Sequence, residues 1–396
     1  MEFATLVILF LYVLMILKYA FGWRRISQVS KQDSSFRVSV IIGLRNEEEE
    51  IASLIASLQS QVYPADQLEF IFVDDHSTDR TLTLLETANL ENLHVINMPA
   101  EKFGKKNAIS IGVSVAKGDI IIVSDADCIF TDHWVQKMAS YFINDDVKLV
   151  SGPVSFKKQK GVFQSLQALE FTSLIGTGAG AIGVNDPIFC NGANMAYRKE
   201  VFLEVNNFED DKLVSGDDVF LLHRIKKRYS SSIVFVKDTE AIVETNSVQS
   251  FREFINQRKR WTAKSVGYRD FSSIYASWLV LLTNCSFVFL FSMIFFDIFF
   301  IYFFIFFYII KFIVDLCLLL PVLRFFNRKD LISLIFPFEF FYSYYIILIV
   351  FILIKFFKII FSIDGVAFLV ATLLLGLSII SDIFQDLLPI SYETIQ

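Results

Sequence analysis

The chain has 396 residues, 54% of them hydrophobic and 44 of them Phe, with a formal net charge of −6. That composition is too apolar for an ordinary soluble domain, and the acidic balance argues against nucleic acid as a partner. The four cysteines, Cys128, Cys190, Cys285 and Cys317, lack the paired spacing of a disulfide framework or a zinc site.

Residues 3 to 21, FATLVILFLYVLMILKYAF, are long and apolar enough to span a bilayer. No basic region precedes them and no small-residue cleavage site follows, so a retained anchor is expected rather than a cleaved signal peptide. Residues 30 to 270 read as a mixed globular sequence. From Ala276 to Phe326 the chain is apolar for about two spans, with Asp297 as the expected turn. Residues 331 to 354 form another span, and Val366 to Ile380 a weaker one. Basic clusters follow the first span (Lys18, Arg24, Arg25, Lys31, Arg37), precede the second (Arg258, Lys259, Arg260, Lys264, Arg269) and separate the third from the fourth (Arg324, Arg328, Lys329). All three fall on one side if the first span runs from outside to inside, which predicts a cytoplasmic globular part in an integral membrane protein. The organisation expected is an anchor over 1–24, a globular domain over 36–249, an interfacial helix over 250–270 and a membrane region of about three helices over 274–396.

Within the globular part, apolar runs alternate with helical patterns. RVSVIIG (37–43), LEFIFVDD (68–75), LHVIN (93–97) and DIIIVSDAD (119–127) read as strands. EEEEIASLIASLQSQ (47–61) and KKNAISIGVSVA (105–116) read as helices. The alternation implies an open α/β sheet of parallel strands, whose ligands bind beyond the carboxyl ends of the strands.

Two of those ends carry paired acids, Asp74 with Asp75 and Asp125 with Asp127. Alternate residues on extended backbone face the same way, so Asp125 and Asp127 can face one ligand. Grouped carboxylates call for a cation, and hard oxygen ligands suit Mg²⁺ or Mn²⁺ bridged to substrate phosphates. The competing reading of Asp74, Asp75 and Asp79 is capping of a helix starting near Thr81. A third acidic point is SGDD, where Asp217 and Asp218 suit a general base, with capping by Ser215 or Asp217 as the alternative.

The ordered set VSVIIGLRNEE, VDDHSTDRT, GKKNA, SDAD, CNGANMAYRKEVF, SGDD and QRKRW resembles the membrane-bound family-2 glycosyltransferases of GT-A fold that carry D-x-D and Q-x-x-R-W signatures. The resemblance runs from about residue 37 to 265. It implies an α/β GT-A domain flanked by N-terminal and C-terminal transmembrane helices. It also implies a nucleotide-sugar donor, most commonly a UDP-sugar, and a lipid-linked or glycan acceptor. By the same resemblance, Asp75, beside Asp74, contacts the nucleotide base, and Lys105 lies near the nucleotide. Asp125 and Asp127 serve the ribose–pyrophosphate and the metal, and Asp218 is the catalytic base, with Asp217 beside it. Gln257, Arg260 and Trp261 are the signature, and Asn194 lies in the floor of the acceptor site. IIGLRNE departs from the family's proline-containing turn, which leaves the role of Arg45 open, and the tail beyond about Lys358 departs from the family's ending.

QRKRW then has a chemical reading. Charge grows on the pyrophosphate as the glycosidic bond breaks; Arg260 offers a planar fork for it, and Trp261 an apolar face for a sugar ring. Arg258 and Lys259 are expected at the lipid interface, with Phe251, Phe254 and Ile255 in the lipid boundary. His76 and His94 read as loop or strand residues, His133 as a residue that caps or covers a helix start, and Lys311 with Asp315 as an intramembrane pair or part of a substrate path. The activity implied is inverting transfer of one sugar to a hydroxyl. A processive polysaccharide synthase and a catalytically inactive membrane scaffold are the alternatives.

Overall fold

The computed structural model describes residues 2–27, 36–205, 217–265 and 267–356. The weaker apolar stretch 366–380 and the segment containing Ser215 and Gly216 lie outside them.

Seven strands form one sheet: β1 (Val38–Leu44), β2 (Leu68–Asp74), β3 (Leu93–Asn97), β4 (Ile120–Asp125), β5 (Leu149–Ser151), β7 (Met195–Arg198) and β8 (Ile233–Phe235). Their order is β3-β2-β1-β4-β7-β5-β8. β7 runs antiparallel to both neighbours, and the other described pairings in this sheet are parallel. The expected parallel α/β arrangement is therefore present, with one reversed strand at its centre. The all-apolar runs of β1, β2 and β4 follow from burial on both faces, and Val40, Ile41, Ile42, Phe72, Ile120, Ile121 and Ile122 are fully buried. Two short strands, β6 (Val154–Phe156) and β9 (Val243–Thr245), pair separately beside the sheet.

The helices of this half are α2 (Ile51–Gln59), α3 (Thr81–Glu86), α4 (Lys105–Val115), α5 (Trp134–Ser140), α6 (Val162–Gly183), α7 (Lys199–Val205), α8 (Asp217–Arg228) and α9 (Phe251–Ser265). The expected helix over 47–61 begins only at Ile51, because the segment before it is a turn tied to the loop after β2. His133 precedes α5 without a side-chain hydrogen bond to the helix, so the capping expectation for it is corrected.

Among the described residues four helices are long and apolar enough to cross a membrane: Phe3–Arg25, Phe271–Met293, Phe300–Phe325 and Lys329–Phe351. They correspond to α1 (Glu2–Arg25), α10 (Phe271–Met293), α11 (Phe300–Phe325) and, with a preceding 3₁₀ turn, α12 (Ile335–Phe356). Asp297 lies in the turn between the second and third, as expected. α1 is fused to the globular half through α6. A Cβ at Gly22 would stand 2.0 Å from the Gly180 carbonyl oxygen, and one at Gly183 2.2 Å from the Gly22 oxygen, so the two helices meet backbone to backbone. Trp23 is buried against Phe235 and Phe325, and Lys237 donates to its carbonyl. Inside the bundle, Lys311 pairs with Asp315 as expected (2.7 Å). It pairs also with Glu339 of α12, and the Tyr12 hydroxyl of α1 donates to Asp315. Ionisable groups at such depth persist only when paired, so this cluster fixes α1, α11 and α12 together.

Candidate active site

The carboxyl ends of β1, β2 and β4 form one edge, with Leu44 in register with Asp74 and Gly43 with Asp125. The loops after β1 and β2 are stitched together across this edge. Thr78 N donates to Asn46 Oδ1 (2.8 Å), Glu47 N to Thr81 Oγ1 (2.8 Å) and Glu48 N to Asp79 Oδ2 (3.2 Å). Of the three acids weighed as caps, only Asp79 serves the start of α3, accepting from Thr81 N at 3.0 Å. Asp74 is buried and accepts from Ser77 N, with its Oδ1 facing no partner. Asp75 accepts from the Gly104 amide at 2.8 Å. Gly104 has φ 86°, a conformation open to glycine at little cost, and it turns the chain into α4. His76 stacks on the exposed ring of Phe103, with centroids 4.7 Å apart.

Lys105, the first residue of α4, reaches Asp125 Oδ1 in an ion pair and approaches the Gly192 carbonyl at 3.4 Å. The Gly192 amide donates to Asp218 Oδ2 at 3.1 Å. One backbone unit thus separates the Lys105–Asp125 pair from the Asp218 carboxylate. Asp217 begins α8, and its side chain lies outside the described atoms. Asp127 does not sit on extended strand as expected. It lies in the turn after β4, and Thr245 Oγ1 at the end of β9 holds its Oδ2 at 2.7 Å.

Glu47, which the sequence did not single out, belongs to this acidic group. Burial, then the charges of Asp127, Glu50, Asp125 and Asp79, push its carboxyl from 4.5 to about 7. Between about pH 4.5 and pH 7 the unfolded chain gives up this proton while the folded chain keeps it, so the metal-free fold loses stability as pH rises through that window. Glu47→Gln, which never ionises, removes the loss. Its melting temperature should match the wild type at pH 4.5 and exceed it at pH 8 in EDTA, measured by scanning fluorimetry. An equal offset at both pH values would show that Glu47 is not the titrating group.

α9 carries QRKRW. The Arg258 expectation is overturned: its guanidinium is buried, not interfacial. It binds Glu170 of α6 through Nε (3.0 and 3.2 Å) and Nη2 (2.5 Å), between the rings of Phe254 and Trp261 (4.4 and 4.2 Å to the centroids). The apolar run of α6 gave no sign of this partner, which is 88 residues away in sequence. Phe254 is likewise buried, not at the lipid boundary. Arg260 is exposed, and Gln257 and Trp261 are half-buried. Asn194 is also corrected. It is wholly buried, accepts from Trp134 Nε1 (2.9 Å) and donates to the Pro153 and Ala241 carbonyls (2.8 and 2.9 Å), so it braces the strands and presents nothing to an acceptor.

Residues 39–205 match the family described as glycosyl transferase family 2. The chain is 26% identical over 227 residues to glycosyltransferase AglE of Haloferax volcanii, covering 56% of this chain and 71% of that protein. It is 38% identical over 94 residues to an undecaprenyl-phosphate 4-deoxy-4-formamido-L-arabinose transferase of Proteus mirabilis, covering 23% of this chain and 29% of that one. Among solved structures, a mannosyltransferase of Pyrobaculum calidifontis in complex with GDP-Man and Mn²⁺ superposes with a TM-score of 0.55 at 18% identity, covering 72% of this chain and 84% of that chain. Sheet order and superposition agree on an α/β domain of GT-A fold, residues 39–205 of which resemble glycosyl transferase family 2, beside four helices among the described residues that are long and apolar enough to cross a membrane.

Proposed function

We propose that the protein transfers one sugar from a nucleotide-diphosphate sugar to a hydroxyl of a lipid-linked acceptor, with inversion, at a cytoplasmic membrane face. The observation that carries this reading is that Lys105, paired with Asp125, and the Asp218 carboxylate meet the same residue, Gly192. It puts a cation, a phosphate-side acid and a separate carboxylate at one strand edge. In the transfer, the acceptor oxygen forms a bond to the anomeric carbon as the bond to the diphosphate oxygen breaks. Asp218 takes the hydroxyl proton, and the nucleoside diphosphate leaves with the electron pair. Lys105 and the exposed Arg260 meet the charge that develops on it. Asp75, at the mouth of the β2 loop, is assigned to the nucleotide base.

Asp125 and Asp127 fit a divalent cation, Mg²⁺ or Mn²⁺. Burial first, and then the neighbouring carboxylates, push Glu47 upward, and such an ion would relieve the second of these. Among the described residues no group of three or more His, Cys, Asp or Glu is arranged to hold a metal alone. Two aspartates leave coordination positions for water and phosphate, the usual pattern for Mg²⁺. When bound, the ion neutralises the leaving diphosphate.

A lipid-linked acceptor is supported by the fusion of α1 to the catalytic half and by the four spans among the described residues, which offer little polar lining for an export channel. Orientation rests on the basic clusters. Inside-out membrane vesicles containing the protein, incubated with radiolabelled UDP- and GDP-sugars, should move label into the organic-solvent extract. Right-side-out vesicles should not. Label appearing only in insoluble polymer would favour a processive synthase, and no labelled product from any donor would favour an inactive scaffold.

A further inference from the structure

Gln257 is bonded to its neighbour in an unusual way. Arg258 Nη1 donates to Gln257 Oε1 at 2.5 Å while the rest of the guanidinium is engaged by Glu170. Arginine can only donate, so it fixes which end of the Gln257 carboxamide faces it. The carbonyl is turned inward, and the NH₂ is left to donate elsewhere. Among the described residues nothing accepts from that NH₂. Glu170, in turn, accepts from the Tyr345 hydroxyl of α12 at 3.1 Å. One turn earlier on α6, Gln167 donates to the Val248 carbonyl in the segment joining β9 to α9. That segment starts at Thr245, which holds Asp127. α6 therefore grips both the approach to α9 and α9 itself, and a membrane helix braces the grip.

We propose that Tyr345, Glu170 and Arg258 form a positioning relay that orients the Gln257 carboxamide, so that its NH₂ donates to an oxygen of the donor diphosphate. The relay rests on the glycosyl-transfer reading above. None of its three members touches substrate. The burial of the ion pair is itself an argument for geometry over stability. A buried pair contributes little net stability compared with apolar packing, but it fixes direction when Nε, Nη1 and Nη2 are each held by a partner. Here the fork is filled on one side by a carboxylate and on the other by the amide whose orientation matters.

The test is a pair of double-mutant cycles on the full chain in detergent, reading kcat, donor KM, and affinity for UDP and GDP with Mn²⁺ by calorimetry. Arg258→Lys keeps the charge and loses the fork. It should lower kcat roughly 10- to 100-fold, the scale of a misplaced contact, with a smaller change in donor KM. Placed on Gln257→Ala, it should cost less than about 2-fold, because the group it positions is gone. Tyr345→Phe, which leaves the ion pair intact, should show the same pattern at smaller amplitude. Equal losses from Arg258→Lys in both backgrounds, or a silent Gln257→Ala, would overturn the relay and leave a purely structural pair. If Arg258→Lys does not fold, the Tyr345→Phe cycle decides by the same criterion. Should the wild type bind neither nucleotide and use no nucleotide sugar, the glycosyl-transfer reading falls and takes the relay with it. Binding and turnover with additive losses overturn the relay alone.

Discussion

Asp218→Asn should lower turnover by about 10²–10⁴-fold, the range of a positioned base, while nucleotide affinity stays near that of the wild type. The substitution is nearly isosteric, and its carbonyl oxygen can still accept from the Gly192 amide that Asp218 Oδ2 engages at 3.1 Å. What is lost is the ability to take a proton, together with the bond that Asp218 Oδ1 accepts from the Val219 amide at 2.9 Å within the first turn of α8. Arg260→Ala should behave in the opposite way. Arg260 is exposed on α9, and its proposed partner is the diphosphate, which is present whenever donor is bound. Its loss should weaken nucleotide affinity together with turnover. Calorimetry with UDP and GDP beside turnover, on both variants in detergent, separates the two ends of the transfer. If Asp218→Asn loses affinity as badly as Arg260→Ala yet still turns over with acceptor, the base is misassigned and Asp217 takes its place.

The parts of the fold that the sequence made legible are those where one physical cause acts alone. Strands buried on both faces read as largely apolar runs, so β1, β2 and β4 stand close to where RVSVIIG, LEFIFVDD and DIIIVSDAD put them, and the more exposed edge strand β3 stands at LHVIN. The four long apolar helices read for a similar reason. What failed needed a partner from elsewhere in the chain. Asp127 was placed on a strand by alternation, but the strand ends at Asp125, and Asp127 is held from the far side by Thr245, 118 residues on. Arg258 looked interfacial because an arginine beside Lys259 near a membrane span usually is; its Glu170 lay inside an apolar run that gave no functional signal. Asn194, in CNGAN, was read through resemblance as part of an acceptor floor. Its three hydrogen bonds, to Trp134, Pro153 and Ala241, make it a brace instead. Glu339 went unnoticed for the same reason as Glu170, since nothing in the sequence near α12 points back to Lys311. The Lys311–Asp315 pair was legible because its members are one helical turn apart.

Asp127→Ala should abolish turnover, by about 10²–10³-fold or more, the scale of removing one group that stabilises transition-state charge, and EDTA should do the same to the wild type. The two treatments should also converge on nucleotide affinity, because a cation held by Asp125 and Asp127 would be expected to bind together with the donor diphosphate. Folding should survive. Asp127 is held by a single hydroxyl, Thr245 Oγ1, and its removal relieves an acidic group in which Glu47 is already pushed up to about 7 by burial and neighbouring charge. The variant should therefore melt at or above the wild type at pH 8 without metal, and Mn²⁺ should stabilise it less than it stabilises the wild type. Thr245→Val is the control. It removes the hydroxyl but leaves the carboxylate, so turnover should fall less than in Asp127→Ala and should recover partly with added Mn²⁺. Full turnover of Asp127→Ala, or of the wild type in EDTA, would remove the cation from the reaction and leave the charge of the leaving diphosphate to Lys105 and Arg260, with the Gln257 amide beside them.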